Sequence, residues 1–444
     1  MTPSPRPSGT RARLPSPAPC WSPRPGLSLP ARRMAMVAKK GAPKRQIEPR
    51  EELVQAAMDA AVRIAQRAPE ADRERRVPVE NILDLHRAGL LSVAIPKDLG
   101  GTEADLVTQV AVYEIIGGAC ASTAWVMGNH SVLCTRSLGM MGEAAHPLLR
   151  DVVENGALIS HAAIPGGETR KVPGGYVSSG RWPFVSGSNI SNWIFLSTLV
   201  DGPAPNWNGG EPPKQHNPWL MLPRDQAGMT IEETWLSMSA RGSMTNDVLL
   251  DEVFVPEHMA PVEYRPAPHL PWLPNGPAAL KVPTKARVWM SGMMLGVAQA
   301  ALDETIEFGK SRTMTLGGAS RSSMPGNQFA VADAAMAIES GRAFLLQEVR
   351  AITNKALASE DFVPNDASRM EMAGLVAREN AQKAVDRLFA VRGAHGLLES
   401  GNFERYYRDV RMGTLHAVSA PDLVREQVGK SLFDIPLDVQ PRWL

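Results

Sequence analysis

The residues best suited to chemistry begin with Gly180–Trp193, GRWPFVSGSNISNW, which sets aromatic rings among small hydroxyl residues and glycines. Trp182, Phe184 and Ser186 recur at every second position, so strand geometry predicts all three on one face. That row suits a planar heteroaromatic ring such as an isoalloxazine. Gly187 permits a close backbone approach, Ser188-Asn189 favours a turn, and Trp193-Ile194-Phe195-Leu196 reopens an apolar strand. A β-hairpin with aromatic cross-strand packing is the plainer account of the same residues. Ser160 and Ser186 likewise read either as site hydroxyls or as groups satisfying a β-edge backbone. None of the nine histidines falls in an HExxH or paired spacing, so metal chemistry is not expected. His130, between Asn129 and Ser131, reads as a helix cap or as a functional imidazole. His416 follows an Arg-rich segment and is either a surface histidine or a group that exchanges a proton near neutrality. His161 and His395 read as structural. Cys20, Cys120 and Cys134 form no CxxC and cannot all pair, which fits a reducing cytoplasm.

The elements that must position these groups fall in three stretches. Helical periodicity covers residues 51–65, 77–91 and 104–116, the last leading through Gly117-Gly118 into the segment 122–131. From about residue 157 the texture turns to short apolar runs, 157–164, 176–186, 193–200, 219–222 and 248–255, separated by Gly and Pro. Pro173-Gly174-Gly175 is a hairpin-type turn, and 201–218 is a polar loop. After a proline-rich connector, 266–283, long helical blocks return at 288–308, 329–355, 369–391 and 421–433, enough for a bundle. The expected division is a basic leader over 1–48, a helical domain over 49–155, a β domain over 156–275 and a helical bundle over 280–444, an α+β chain. Residues 1–47 hold ten Lys or Arg and no acid, and subtracting them leaves 37 basic against 46 acidic residues. An acidic body argues against nucleic acid as partner. The leader cannot bury enough apolar surface to fold, and Met34 or Met36 reads as the true start. No run approaches the ~18 apolar residues of a membrane span.

Several short motifs, in order, resemble the acyl-CoA dehydrogenase superfamily. They are Gly89–Pro96 followed by Gly100-Gly101, the aromatic run, Met238–Ser243 with Asp251–Pro256, and Arg405–Asp409. The resemblance covers roughly residues 50–440 and implies an N-terminal helical domain, a small β barrel or sandwich, a C-terminal four-helix bundle, a flavin between them and a homotetramer. Two departures bear on activity. Ala417 stands where the common dehydrogenases carry a catalytic glutamate, and Ser160–Gly167 replaces their Glu-Pro and Gly-Ser-Asp loop.

These departures are similar to the flavin-dependent monooxygenase branch, in which a Ser-Thr-Ala-Trp loop, here Ser122–Trp125, a Trp-Pro-Phe-x-Ser-Gly run and a histidine after the Arg-Asp motif recur. The resemblance implies catalytic roles for His416, Ser186, His130 and Ser160. Ser186 would bond near the reactive flavin nitrogen, His416 would support the oxygen adduct or substrate hydroxyl, and His130 and Ser160 would face the substrate. It also implies flavin contacts by Trp125, Trp182, Phe184 and Ser186, and by Arg312, Gln328, Arg392 and Gly393, the latter group reaching a neighbouring subunit's flavin. Exposed surface arginines are the competing account of Arg312 and Arg392. The activity implied is that of the oxygenase component of a two-component monooxygenase. It would take reduced FMN or FAD from a separate reductase and use a flavin hydroperoxide to oxygenate an aromatic, amine or sulfide. Such an adduct needs a dry pocket with fixed donors, and Ser and His supply them. The alternatives are an acyl-CoA dehydrogenase or oxidase with a relocated base, and a non-catalytic binding relative.

Overall fold

The computed structural model describes residues 47–204, 214–262, 288–313, 318–358, 360, 362–416 and 420–435. Five helices open this part of the chain: α1 (Glu51–Arg73), α2 (Val79–Arg87), α3 (Leu106–Ala119), α4 (Ala121–Met141) and α5 (His146–Asn155). Helix α1 is amphipathic, with Leu53, Ala57, Ala60, Ile64 and Ala68 buried along one stripe, acids in its first turn and Arg73 in its last. The Asp105 carboxylate accepts a hydrogen bond from the Thr108 N–H at 3.0 Å and caps α3. Ser122–Trp125, expected as a loop from the resemblance, lies inside α4 instead. The hydroxyl residues and Gly128 of this stretch disfavour a helix, and burial on nearly all sides holds it helical regardless of propensity. Ile47 and Glu48, assigned to the leader, are tied to the body: Arg350 Nε donates to the Ile47 carbonyl at 2.9 Å and Arg350 pairs with Glu48 at 3.2 Å.

The described residues of the middle of the chain supply nine strands, β1 (Ile159–Ala162), β2 (Glu168–Val172), β3 (Gly175–Val185), β4 (Trp193–Ser197), β5 (Val200–Asp201), β6 (Gln215–His216), β7 (Trp219–Pro223), β8 (Met229–Glu232) and β9 (Asn246–Pro256). They form sheets of order β1-β4-β7 and β2-β3-β9-β8, with β5 and β6 as a separate pair. Strand β1 runs parallel to β4, and all other pairings are antiparallel. Ala162, Ile194 and Leu220 of the first sheet share one apolar core with Tyr176, Val248 and Val253 of the second, a small sandwich. The opposite face of the first sheet, through Ile159, Phe195 and Trp219, joins the helical core. The hairpin turn at Gly174 is present, with φ +82°.

The chain then returns to helices: α6 (Val288–Ser311), α7 (Pro325–Leu357), α8 (Pro364–Arg392), the short α9 (Phe403–Asp409) and α10 (Met412–Leu415), and α11 (Pro421–Leu432). Helix α8 packs against α6, α7 and α11, and α6 packs in turn on α3. Backbone contact sets the α3–α6 crossing. A Cβ on Gly296 would stand 1.9 Å from the Glu114 carbonyl oxygen, and one on Gly117 would stand 2.5 Å from that of Met293. Arg342 of α7 adds a bond to the Glu114 carboxylate at 2.6 Å.

Candidate active site

Side chains from four separate segments meet beside the N-terminal half of α4. The Trp125 indole Nε1 donates to Ser186 Oγ at 3.0 Å, Ser186 Oγ bonds Thr245 Oγ1 at 2.9 Å, and Thr245 Oγ1 bonds Ser243 Oγ at 2.8 Å. The half-buried His416, just past α10, presents its ring to Trp125 with centroids 5.6 Å apart. The hydrogen bonds of this row run entirely between indole and hydroxyl groups. Turn geometry places Ser186: Gly187 adopts φ +77° and donates its N–H to the Ser243 carbonyl at 2.9 Å. A Cβ there would lie 3.0 Å from Ser160 Oγ and 3.1 Å from Val126 Cγ1, so the turn sits flush against β1 and α4. Ser160 Oγ is buried and makes no hydrogen bond among the described residues.

His130 is one residue removed from this chemistry. Its Nδ1 accepts the Ile159 N–H at 3.0 Å, which leaves Nε2 to carry the proton and donate to the Leu91 carbonyl at 3.1 Å. Both nitrogens are thus occupied by backbone. Burial lowers its pKa to about 4, so the ring is neutral near pH 7. Contrary to the reading that it faces substrate or caps the next helix, His130 lies in the middle of α4 and anchors the start of β1 beside Ser160.

An ionic support lies beneath the Ser243 loop. Asp409 of α9 accepts the Ala240 N–H at 2.7 Å, while Arg408 pairs with Asp72 of α1 at 2.7 Å and with Glu404 at 2.7 Å, and donates to the Met238 carbonyl at 2.8 Å. Burial raises the Asp409 carboxyl to about 6, against the opposing pull of the Ala240 N–H and of Arg408 and Arg405. The Arg-Asp motif therefore holds the loop that carries Ser243 and Thr245.

The other expected site residues lie apart from the row. Trp182 and Phe184 do not share a face, because the β3–β9 register shifts between Trp182 and Val185 and Phe184 adopts φ +62°. Trp182 is buried in the sandwich, its indole donating to the Ser197 carbonyl at 2.7 Å. Phe184 is 63% exposed and meets Trp235 edge-on at 6.3 Å. Arg312 and Gln328 are exposed, and Gln328 Nε2 donates to the Ser322 carbonyl at 3.0 Å. Arg392 is buried rather than exposed: it pairs with Glu304 at 2.9 Å and lies over the Phe308 ring at 4.4 Å. Beside it Gly393, at φ +55°, faces open space. Ala417 is outside the described residues. Sequence reading assigned no site role to Ser243, which closes the Met238–Ser243 motif, or to Thr245 two residues on; their signal is that pair of hydroxyls at the motif's end. It also passed over Trp289, which meets Trp125 edge-on at 5.1 Å.

Comparison with known proteins agrees with this architecture. Residues 48–146 match the family model of the acyl-CoA dehydrogenase N-terminal domain, and residues 288–421 that of the acyl-CoA dehydrogenase C-terminal domain. The chain belongs to the acyl-CoA dehydrogenase family. It is 26% identical to the flavin-dependent monooxygenase oxygenase subunit HsaA of Rhodococcus jostii, over 84% of this chain and 96% of that one. It is 29% identical to the indole-3-acetate monooxygenase of Pseudomonas putida, over 84% and 91%. Among solved structures, XiaF from Streptomyces sp. in complex with FADH2 and glycerol superposes with a TM-score of 0.77 at 22% identity, covering 88% of this chain and 96% of that one.

Proposed function

We propose that this protein is the oxygenase component of a two-component flavin-dependent monooxygenase. It would take reduced FMN or FAD from a separate reductase and oxygenate an aromatic or heteroatom-bearing small molecule. The observation that carries the reading is the Trp125–Ser186–Thr245–Ser243 row with His416 at its side. The monooxygenase relatives support it. The residues present fit a flavin: the buried Ser160 hydroxyl, without a partner among the described residues, and Phe184 left open beside Trp235. Reduced flavin, when bound, supplies the electrons that activate dioxygen.

The protein's own residues do the rest. Trp125 fixes the Ser186 hydroxyl by donating to it, so Ser186 directs its remaining hydrogen-bonding capacity without reorganising during reaction. His416 is the group that exchanges a proton with the substrate, since an imidazole titrates near neutrality and the hydroxyls around it do not. Trp125, Trp289 and the buried Val126 and Met127 keep water from this corner. Arg312, Gln328 and Gly393, open at the surface, are the candidates for contact with a flavin of a second subunit in a homotetramer of this 48.0 kDa chain. We also infer a cytoplasmic location and a division into a helical domain that includes Ile47 and Glu48 and runs to residue 155, a β domain over 156–275 and a helical bundle over 280–444.

The test mixes anaerobically reduced FMN or FAD with the protein and then admits oxygen. The expected result is tight binding of the reduced form and a slow return of oxidised-flavin absorbance, with oxygen consumed into a product once substrate is present. Bleaching of bound oxidised flavin by an acyl-CoA under nitrogen would instead make the protein a dehydrogenase.

A further inference from the structure

Three buried polar atoms in one block of the helical interior stand without a hydrogen-bond partner among the described residues. They are the Tyr113 hydroxyl on α3, the Ser131 hydroxyl on α4 and the Trp289 indole N–H on α6. Their residues are 1%, 4% and 6% exposed, so water does not satisfy these groups from outside. The three are neighbours. The Tyr113 and Trp289 rings lie 6.3 Å apart, and the Tyr113 hydroxyl is turned toward Ser131 without completing a hydrogen bond. The block abuts the candidate site, because Trp289 meets Trp125 edge-on at 5.1 Å and the His416 ring stands 5.6 Å from Trp125 on the way to Ser186. Gly128 lets this happen: a Cβ there would fall 2.2 Å from the Trp289 ring, so the indole lies against the bare backbone of α4.

An unsatisfied buried polar group is a standing cost to stability, and three in one place are unusual. A core built only for packing would carry Phe and Ala at these positions. The chemistry of the trio is specific: an N–H that only donates and two hydroxyls that donate or accept, with no charge among them. Such a set matches a neutral oxygen. A carboxylate would be buried there with no cation in the trio to balance it. Met290, Met293 and Met294 form the adjoining buried face of α6, and their flexible thioethers can yield to an incoming ring.

We infer that Tyr113, Ser131 and Trp289 form a specificity subsite. It takes a neutral oxygen substituent, a hydroxyl or carbonyl, of an aromatic substrate whose ring packs near Trp125. The inference rests on the oxygenase reading only in calling this ligand the substrate. The subsite selects the substrate and orients its ring from the end opposite the row of Ser186 hydroxyls.

Equilibrium dialysis of the full chain, without flavin, against 2-naphthol, naphthalene and 2-naphthoate tests it. The expected order is 2-naphthol about tenfold tighter than either of the others, the worth of one or two well-made neutral hydrogen bonds. Tyr113→Phe and Trp289→Phe should each erase most of that preference while changing naphthalene affinity by less than about twofold. Tyr113→Phe should also keep or raise Tm, because it removes a hydroxyl that has no partner, which separates lost recognition from lost folding. Ser131→Ala gives a third, smaller substitution should Trp289→Phe disturb the packing. Equal binding of 2-naphthol and naphthalene, a preference that survives all three substitutions, as for a trio that only holds a buried water, or no binding of any probe would each overturn the subsite. Failure of the oxygen-admission experiment with the naphthol preference intact would sink the oxygenase reading and leave the subsite standing.

Discussion

Ser186 is the residue on which the candidate chemistry turns, because its hydroxyl accepts the Trp125 indole N–H and also bonds Thr245. Ser186→Ala leaves the buried Trp125 indole N–H without its acceptor, at a cost of about 1–3 kcal/mol. The expected functional outcome is faster return of oxidised flavin after oxygen is admitted, with hydrogen peroxide replacing oxygenated product. An unchanged product yield would remove Ser186 from the site. His416 makes a different prediction. His416→Asn keeps a polar group beside Trp125 but cannot exchange a proton near neutrality, so product formation should fall by about 10²–10⁴-fold while reduced-flavin binding persists. Loss of flavin binding in parallel with turnover would make His416 a binding residue instead. The type and place of both residues were legible before the fold was known, since each stands in a recognisable short motif. The role of His130 was not: sequence gives an imidazole, and only the positions of Leu91 and Ile159 reveal that both its nitrogens are already taken.

Helix α4 is the element that organises the site, carrying Trp125, Val126, His130 and Ser131 on a stretch rich in weak helix formers. Its position depends on Gly128, whose missing Cβ admits the Trp289 ring. Gly128→Ala should therefore destabilise the protein by about 1–3 kcal/mol through overpacking. Its near-ultraviolet circular dichroism, which reports the Trp125–Trp289 pair, should change as well; a wild-type spectrum and Tm would show that α4 tolerates a wider approach. The same contact explains why a stretch expected to begin as a loop is helical. Its Ser, Thr, Gly and Asn residues carry turn propensity, and the burial that overrides it comes from α6, more than 150 residues further along the chain. Strand β3 failed for the converse reason. Perfect alternation was assumed, but a bulge after Trp182 turns Phe184 outward and sends Trp182 into the sandwich core.

At the scale of the whole molecule, two buried titrating groups pull stability in opposite directions. His130, lowered from 6.5 to about 4, contributes stability that is complete above pH 6.5 and lost as pH falls toward 4, about 3 kcal/mol in all. Asp409, raised from 3.8 to about 6, contributes stability that is complete below its ordinary pKa and lost as pH rises through 6, again about 3 kcal/mol. Between pH 4 and 6.5 the two nearly cancel. Denaturant unfolding at pH 4.5 and 6.5 should thus show Asp409→Asn losing more stability on acidification than wild type, and His130→Gln losing less. Parallel profiles in all three proteins would mean that neither group titrates in this range. Oligomeric state belongs to the same scale: a homotetramer should sediment at about four times 48.0 kDa, and a monomeric species would leave Arg312 and Gly393 without a second subunit to reach.

Sequence alone determined the order of helices, strands and helices, the long helices and the main strands, and the hydroxyl and imidazole residues that stand where the common dehydrogenases differ. Periodicity and motif order are local properties of the chain, and the chain carries them openly. Tertiary structure decided which of those residues meet. It joined Trp125, Ser186, Thr245 and His416, buried Arg392 against Glu304, and turned Trp182 away from Phe184. It also brought Tyr113, Ser131 and Trp289 together as unsatisfied neighbours, though nothing in their local sequence sets them apart. Hydrogen-bond satisfaction depends on contacts between segments far apart in the chain, so a pattern of unmet donors becomes visible only once the helices are packed.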